Sequence, residues 1–217
     1  VLSAWDFDGK KLSQRWIFDS ENDKNPYSGM GNHNLSVADV DNDGKDEIVF
    51  GAMVVDDDGK AYHFHSSENN QTLHVAELTD DYMDFSGNYT RILHGQQNEA
   101  PAIFKKDGKY YMFSSGLTGW KPNPGKSAVA DHPMGPWTPL GNMVRGTKDE
   151  MKTTFWSQST AVIPVIGKEN AFIYVGDRWT PENPIDGRYI FLPVEFEGEK
   201  PIIKWKDSWN LSYFDKE

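Results

Sequence analysis

The chain has 217 residues, of which 13% are aromatic, and its formal net charge is −11. This length suits one domain with a sizeable core, and the acidic balance argues against nucleic acid, which requires a basic face. The chain has no cysteine, which excludes disulfides, and it has no apolar run long enough to span a membrane.

Short β runs joined by turns recur along the chain and predict an all-β fold. The hairpin patterns lie at residues 5–12, 54–62, 103–112 and 194–203. The turn glycines Gly9, Gly59 and Gly108 are spaced 50 and 49 residues apart, and glycine accepts the positive φ of a tight hairpin. A repeat of this length predicts β-propeller blades, about four to five, in a ring that is open if only four are present. The polar stretch 147–152 is predicted to be a loop.

An acidic run early in the chain predicts a calcium site. Its candidate ligands are Asp39, Asp41, Asp43 and Asp46. Alternate carboxylates can turn their oxygens to one point, Gly44 permits a sharp turn, and hard oxygen ligands suit Ca²⁺. The loop is not an EF-hand, because position twelve, which requires a glutamate, is Phe50. A solvated acidic turn is the alternative interpretation.

Glu99 is the candidate for acid–base chemistry. It directly precedes Ala100-Pro101, an apolar strand and the turn at Gly108. This order puts one carboxylate at the mouth of a β-hairpin, where it can meet a substrate, and the surrounding aromatic and polar residues suit a sugar. Alternatively, Glu99 only caps a strand. A glycosidase needs two groups, an acid and a base or nucleophile, so Glu99 alone is not sufficient.

The beginning of the chain resembles polysaccharide lyase family 11. The matching motifs are Trp5–Gly9, Gly31–Asp41 and Asp43–Glu47. Members of that family are rhamnogalacturonan lyases, which are many-bladed β-propellers that carry calcium. The resemblance implies a lyase-like, calcium-binding propeller segment over residues 1–55 and, as one candidate activity, calcium-dependent cleavage of the pectin backbone.

From about residue 56 the chain resembles glycoside hydrolase family 43, near its exo-galactanase-like branch. The matching stretches are 57–63, 98–101, 114–120, 135–137, 155–160 and 177–179. The resemblance implies propeller blades over residues 56–217, with an active site at the central axis. It also implies inverting acid/base hydrolysis of plant cell-wall side chains of the galactan or arabinan type. A genuine fusion and an assembled chimera both explain the join of the two halves.

The hydrolase resemblance implies roles for particular residues. Glu99 matches the general acid, and Gln158 matches the glutamine that takes the base's place in the galactanase-like branch. A pocket amide that only donates and accepts hydrogen bonds is the other interpretation of Gln158. Ala52 stands where most of the family has an Asp that tunes the acid. With the catalytic set incomplete, enzymatic activity stays open, and a non-catalytic glycan-binding propeller is a further alternative.

The remaining candidates concern substrate binding and partners. Trp120, Trp156 and Trp179 are expected to stack on sugar rings, although propellers also bury tryptophans between blades. Arg178 is a candidate sugar contact, with pairing to Asp177 as the alternative. The expected partner is an oligo- or polysaccharide, and exposed edge strands predict self-association. The stretch from Val1 is not predicted to be a signal peptide, and a mature form and a fragment are both open interpretations of the chain. Secretion or export to the periplasm is expected only because the substrates are polymers.

Overall fold

A computed structural model describes most of the chain. The described residues are 2–7, 11–18, 35–38, 47–50 and 52–215. The chain divides into two compact units, residues 1–33 and residues 34–217. Within the described residues, no helix is both long enough and apolar enough to cross a bilayer.

Two short antiparallel pairs are described before residue 52. In the first unit, β1 (Leu2–Phe7) pairs with β2 (Leu12–Phe18). This pairing confirms the first predicted hairpin. In the second unit, β3 (Leu35–Ala38) pairs with β4 (Glu47–Phe50).

Three larger sheets follow in the second unit, and each contains an antiparallel meander of four strands. The first contains β5 (Ala52–Val55), β6 (Ala61–Ser67), β7 (Thr72–Leu78) and β8 (Phe85–Ile92). The second contains β9 (Glu99–Lys106), β10 (Lys109–Ser115), β11 (Lys126–Ala130) and β12 (Thr138–Asn142). The third contains β13 (Val144–Arg145), β14 (Gln158–Pro164), β15 (Phe172–Arg178), β16 (Arg188–Glu197) and β17 (Lys200–Lys204). Its order is β14-β15-β16-β17-β13, and the last pair is parallel.

The hairpin predictions are confirmed, and the all-β character with them. The turns at Gly59, Gly108 and Gly198 connect β5 to β6, β9 to β10 and β16 to β17. Gly108 has φ 76°, which a residue with a side chain rarely adopts. The described sheets do not close into a barrel.

The prediction of a loop at residues 147–152 is wrong, because this stretch contains the helix α1 (Lys148–Thr153). Thr147 caps the helix: its side chain accepts a hydrogen bond from the Glu150 N–H, and the Glu150 carboxylate accepts one from the Thr147 N–H. This reciprocal pair satisfies two otherwise unpaired backbone donors. Apolar periodicity did not reveal the helix because none of its residues is buried. Three short 3-10 turns, Thr154–Trp156, Pro184–Asp186 and Leu211–Phe214, complete the described helical segments.

The middle sheet buries both of its faces. Along β10 the side chains alternate, so that Tyr110 and Met112 pack with the first sheet while Tyr111 and Phe113 pack with the third. Fully burying a large apolar side chain contributes about 1.5–3 kcal/mol. Strand β5 of the first sheet lies against β9 of the middle sheet, and β9 lies against β14 of the third sheet. The starting residues of the last two of these strands form the candidate site.

Candidate functional site

The strands β5, β9 and β14 each begin with a residue to which the hydrolase resemblance assigns a position. Ala52 begins β5, Glu99 begins β9 and Gln158 begins β14. Ala52 is buried and contributes a methyl group where an ionisable side chain was expected from the resemblance. The site therefore rests on Glu99 and Gln158.

Glu99 is a half-buried carboxyl held by its neighbours. The side-chain nitrogen of Asn70 donates a hydrogen bond to Oε1 of Glu99 over 2.8 Å. The preceding residue, Asn98, is buried; its side-chain oxygen accepts from Ser114 and its carbonyl accepts from Ser66. Burial raises the pKa of Glu99 above its ordinary value, because desolvation disfavours the charged form. A carboxyl that keeps its proton toward neutral pH can act as a general acid.

A β-bulge follows Glu99 directly. Phe113 pairs with Ala102, but Ser115 pairs with Glu99, so β9 has one more residue than β10 in this interval. Ala100 accommodates the bulge with φ 49°, a left-handed conformation that is unfavourable for alanine. Bulges re-aim side chains, and this one sets the direction in which Glu99 leaves the sheet.

Gln158 is held at both ends of its amide. Its nitrogen donates to Oγ of Ser115 over 2.8 Å, and its oxygen accepts from Nε1 of Trp179 over 3.3 Å. Ser115 lies opposite Glu99 in the β9–β10 pair, and its hydroxyl reaches the Glu99 carbonyl at 3.5 Å. Ser115 therefore connects β9 and β14 at the position of the candidate site.

A second bulge lies just after Gln158. Ser159 pairs with Gly176 and Ala161 pairs with Val175, which leaves Thr160 as the extra residue. The hydroxyl of Ser159 donates to the carbonyl of Ala100 over 2.6 Å. The bulge of β14 is thus hydrogen-bonded to the bulge of β9. This bond fixes the backbone at Gln158 relative to the backbone at Glu99.

The turn before Gln158 contains three consecutive left-handed residues. Thr154, Phe155 and Trp156 have φ of 50°, 57° and 60°. Each such conformation costs on the order of 1–2 kcal/mol for a residue with a side chain. The turn is held by Ser157, whose hydroxyl donates to the Thr154 carbonyl over 2.6 Å, and by Thr154, whose hydroxyl accepts from the Gly125 N–H over 2.6 Å. Strained backbone held in this way is typical of functional sites.

The predicted aromatic residues lie around this turn and around Gln158. Trp120 is 61% exposed and Trp156 is 62% exposed, so neither is a core residue. The ring of Trp120 meets that of Trp179 edge-on at 5.3 Å, and Trp179 contacts Gln158. Arg178 donates from Nε to the Phe155 carbonyl over 3.0 Å and lies 5.0 Å from the Trp205 ring. These contacts of Arg178 hold the strained turn.

Asn70 and Ser115 are site residues that sequence reasoning did not single out. Asn70 is 29 residues from Glu99, and Ser115 is 43 residues from Gln158. Asn70 lies in none of the family-like stretches, and Ser115 lies in the stretch 114–120 without a pattern that marks it as a site residue. Their importance follows from contacts between sheets.

A groove of about 280 Å³ lies away from these residues, on β6–β8. His65, His74, Phe85 and Tyr89 contribute to its lining, and it includes neither Glu99 nor Gln158. Burial lowers the pKa of His65 to about 4, so this ring is neutral at physiological pH.

The predicted calcium ligands cannot be placed. Asp39, Asp41, Asp43 and Asp46 all lie outside the described residues. Within the part of the chain that is described, no group of three or more acidic, histidine or cysteine side chains could hold a metal ion.

The strands and the site described above are those of an all-β protein, and comparison with known proteins identifies the family. A family model described as rhamnogalacturonan lyase family 11, C-terminal domain, matches residues 1–111. The chain therefore belongs to this family. The rhamnogalacturonan exolyase YesX and endolyase YesW of Bacillus subtilis (strain 168) are 49% and 48% identical to it over 79 residues. That match covers 36% of this chain and only 13% of each lyase.

Solved structures show the resemblance to glycoside hydrolase family 43. A family 43 β-1,3-galactosidase with bound galactodeoxynojirimycin is 46% identical, with a TM-score of 0.70. A second family 43 β-1,3-galactosidase is 38% identical, with a TM-score of 0.73. The exo-β-1,3-galactanase of Clostridium thermocellum is 35% identical, with a TM-score of 0.62. These matches cover 77%, 79% and 70% of this chain, and 48%, 38% and 32% of the respective structures.

Both resemblances stated from the motifs are confirmed. The chain spans less than half of each of these relatives, so no relative's activity can be assigned to it as a whole. The match of the lyase family model continues past residue 55.

Proposed function

We propose that this protein acts on galactan-type side chains of plant cell-wall polysaccharide, with Glu99 as general acid in an inverting hydrolysis. The observation that carries the proposal is the half-buried Glu99 carboxyl, whose pKa is raised by burial and whose strand partner Ser115 binds the amide of Gln158. The relatives support the choice of sugar: one was solved with galactodeoxynojirimycin and another with β-1,3-galactotriose.

Gln158 has the role of orienting the attacking water in this proposal. A primary amide has two N–H donors and an oxygen with two lone pairs, and one donor and one lone pair are used by Ser115 and Trp179. The remaining donor and lone pair are sufficient to hold a water molecule. A neutral amide is too weak a base to take the proton of the attacking water. That proton therefore leaves to solvent water, and slow turnover is expected.

We further propose that the three sheets are propeller blades. Strand β9 lies against both β5 and β14, as neighbouring strands around a central axis do, and the middle sheet packs on both neighbours. In this arrangement the segment 1–55 is the lyase-like part, with a calcium ion at its acidic run, and 56–217 is the hydrolase-like part. Glu99 and Gln158 then lie at the axial end of neighbouring blades.

Rhamnogalacturonan lyase activity is the second candidate, because the family model covers residues 1–111. A lyase cleaves by elimination and leaves an unsaturated uronide that absorbs in the ultraviolet, whereas a hydrolase leaves a new reducing end without this absorbance. The two products therefore distinguish the two activities.

The test incubates the protein with β-1,3-galactan and, separately, with rhamnogalacturonan in calcium-containing buffer. We expect release of galactose from galactan without an ultraviolet-absorbing product. Glu99→Gln keeps the shape of the side chain and its acceptor for Asn70 but cannot donate the acid's proton, so we expect hydrolysis to fall about 100-fold or more. Glu182→Gln, at an exposed position, is the matched control and should retain activity.

Three results would contradict the proposal. Equal galactose release by Glu99→Gln would remove Glu99 from the chemistry. An increase in ultraviolet absorbance on rhamnogalacturonan would favour the lyase. Binding of galactan with no product at all, measured by affinity electrophoresis, would favour a glycan-binding protein, for which the methyl group of Ala52 and the neutral Gln158 are the structural arguments.

A further inference from the structure

The turn between β6 and β7 has an energetically unfavourable backbone conformation. Glu68, Asn69 and Asn70 are all left-handed, with φ of 55°, 55° and 59°. Asparagine tolerates this conformation better than most residues, but three in succession are unusual. A tight turn between strands does not require three such residues, so the conformation needs another explanation.

The surrounding contacts hold this turn in one conformation. The carboxylate of Glu68 pairs with Arg91 at 2.5 Å and with His74 at 3.1 Å. The backbone N–H of Gly95 donates to the Gln71 carbonyl over 2.7 Å, which fastens the turn to the segment that leads toward Glu99. The position of the Asn70 side chain is therefore determined by the fold.

The Asn70 amide points at the carboxyl of Glu99. Its nitrogen is 2.8 Å from Oε1, and an amide nitrogen only donates hydrogen bonds. Oε1 must therefore accept. In a protonated carboxyl only one oxygen carries the proton, and the carbonyl oxygen is the stronger acceptor of the two, so an N–H donated to Oε1 favours the form with the proton on Oε2.

We propose that Asn70 is a positioning residue that, by donating to Oε1, keeps the proton of Glu99 on Oε2, the oxygen that then faces the glycosidic bond. This inference rests on the hydrolytic function proposed above. Proton transfer requires the donor within hydrogen-bond reach of the leaving oxygen, and a carboxyl free to rotate would present its proton there only part of the time. Asn70 removes that freedom.

Charged groups on three described elements around Glu99 contact other partners. Glu68 is held by Arg91 and His74. Lys126, at the start of β11, donates to the carbonyls of Gln96 and Gln97 at 2.5 and 3.0 Å. Arg178, at the end of β15, donates to a backbone carbonyl. A charge introduced at Asn70 would therefore lie in direct contact with the Glu99 carboxyl, at the position of the present 2.8 Å hydrogen bond.

The test compares Asn70→Asp, Asn70→Ala and the control Asn69→Ala. Position 69 has nearly the same φ and is exposed, so alanine carries the same backbone strain there without removing the contact to Glu99. Asn70→Asp keeps the size of the side chain and tolerates the left-handed conformation. Melting curves verify that each variant folds.

Two readouts are measured: the pKa of Glu99, by carbon NMR of labelled glutamate with Glu99→Gln for assignment, and the pH profile of kcat/KM on β-1,3-galactan. We expect Asn70→Asp to raise the pKa of Glu99 and to move the alkaline limb of the profile to higher pH, because like charges disfavour ionisation. Asn70→Ala should lower kcat at least tenfold with little change in KM, and Asn69→Ala should change neither readout.

The proposal is overturned if Asn70→Asp leaves the pKa of Glu99 unchanged, or if Asn69→Ala reproduces the effects of Asn70→Ala. The NMR measurement does not depend on turnover. If the wild-type protein hydrolyses nothing while the pKa of Glu99 still moves in Asn70→Asp, the hydrolytic function is wrong and the control of the carboxyl by Asn70 stands. If the wild-type protein hydrolyses galactan but the pKa of Glu99 does not change in Asn70→Asp, the hydrolytic function stands and the control of the carboxyl by Asn70 is wrong.

Discussion

Adding one methyl group at Gly176 is expected to damage the support beneath Gln158. Gly176 lies on β15 opposite Ser159. A Cβ atom built there is 2.7 Å from both Cε1 and Oη of Tyr174 and 2.8 Å from Oγ of Ser157. Ordinary carbon contacts begin about 0.7 Å further away. Gly176→Ala therefore forces at least one of these groups to move.

The neighbours of Gly176 have little freedom to yield. Tyr174 is fully buried, its ring meets Phe113 edge-on at 5.8 Å, and its hydroxyl is 3.2 Å from that of Ser157. Overpacking of a closed core typically costs about 1–3 kcal/mol. For a domain of this size each kcal/mol lowers the melting temperature by roughly 2–4 °C. Displacement of Ser157 would also move Gln158, so galactan hydrolysis should fall together with stability.

The assay is equilibrium unfolding in urea followed by tryptophan fluorescence, with the m-value checked for constancy. Gly176→Ala is made alone and in a Tyr174→Leu background, where the nearest ring atoms are gone. We expect the cost of the methyl group to shrink in that background, since residues in contact couple. An unchanged unfolding midpoint for Gly176→Ala, or an equal cost in both backgrounds, would refute the steric argument.

Two further predictions concern pH and metal. Burial raises the folded-state pKa of Glu99 above its unfolded value, so the stability contributed by its protonated form is complete below the unfolded pKa and is lost as pH rises through the folded pKa. Glu99→Gln, which cannot ionise, should therefore melt higher than wild type at pH 8 and equally at pH 3.5; a difference that does not depend on pH would contradict this reasoning. For the calcium site predicted at Asp39–Asp46, chelation should lower the melting temperature, and a calcium concentration 100 times Kd should contribute about 2.7 kcal/mol. Asp41→Asn should remove this response, and identical melting of wild type with and without calcium would exclude the site.

Much of the fold was predictable because its signals are local. A glycine between two alternating runs predicts a hairpin from a few residues alone, and the hairpins around Gly59 and Gly108 are confirmed. The position of Glu99 at the start of a strand follows from the same local order of polar, proline and apolar residues. The helix at Lys148–Thr153 was missed because a surface helix held by a capping box has no buried face to give it an apolar period.

The sequence by itself determined the hairpin strands, their turns and the candidate residue Glu99, because strand alternation and turn chemistry act over a few neighbouring residues. Gln158 became a candidate through the resemblance of its motif to the hydrolase family. Only the tertiary structure decided how these residues are held. The contacts of Asn70 with Glu99 and of Ser115 with Gln158 join residues far apart in the chain, and the two bulges are fastened to each other through Ser159. Such contacts depend on how whole sheets pack against one another. This packing is determined by many side chains together, so no short stretch of sequence specifies it.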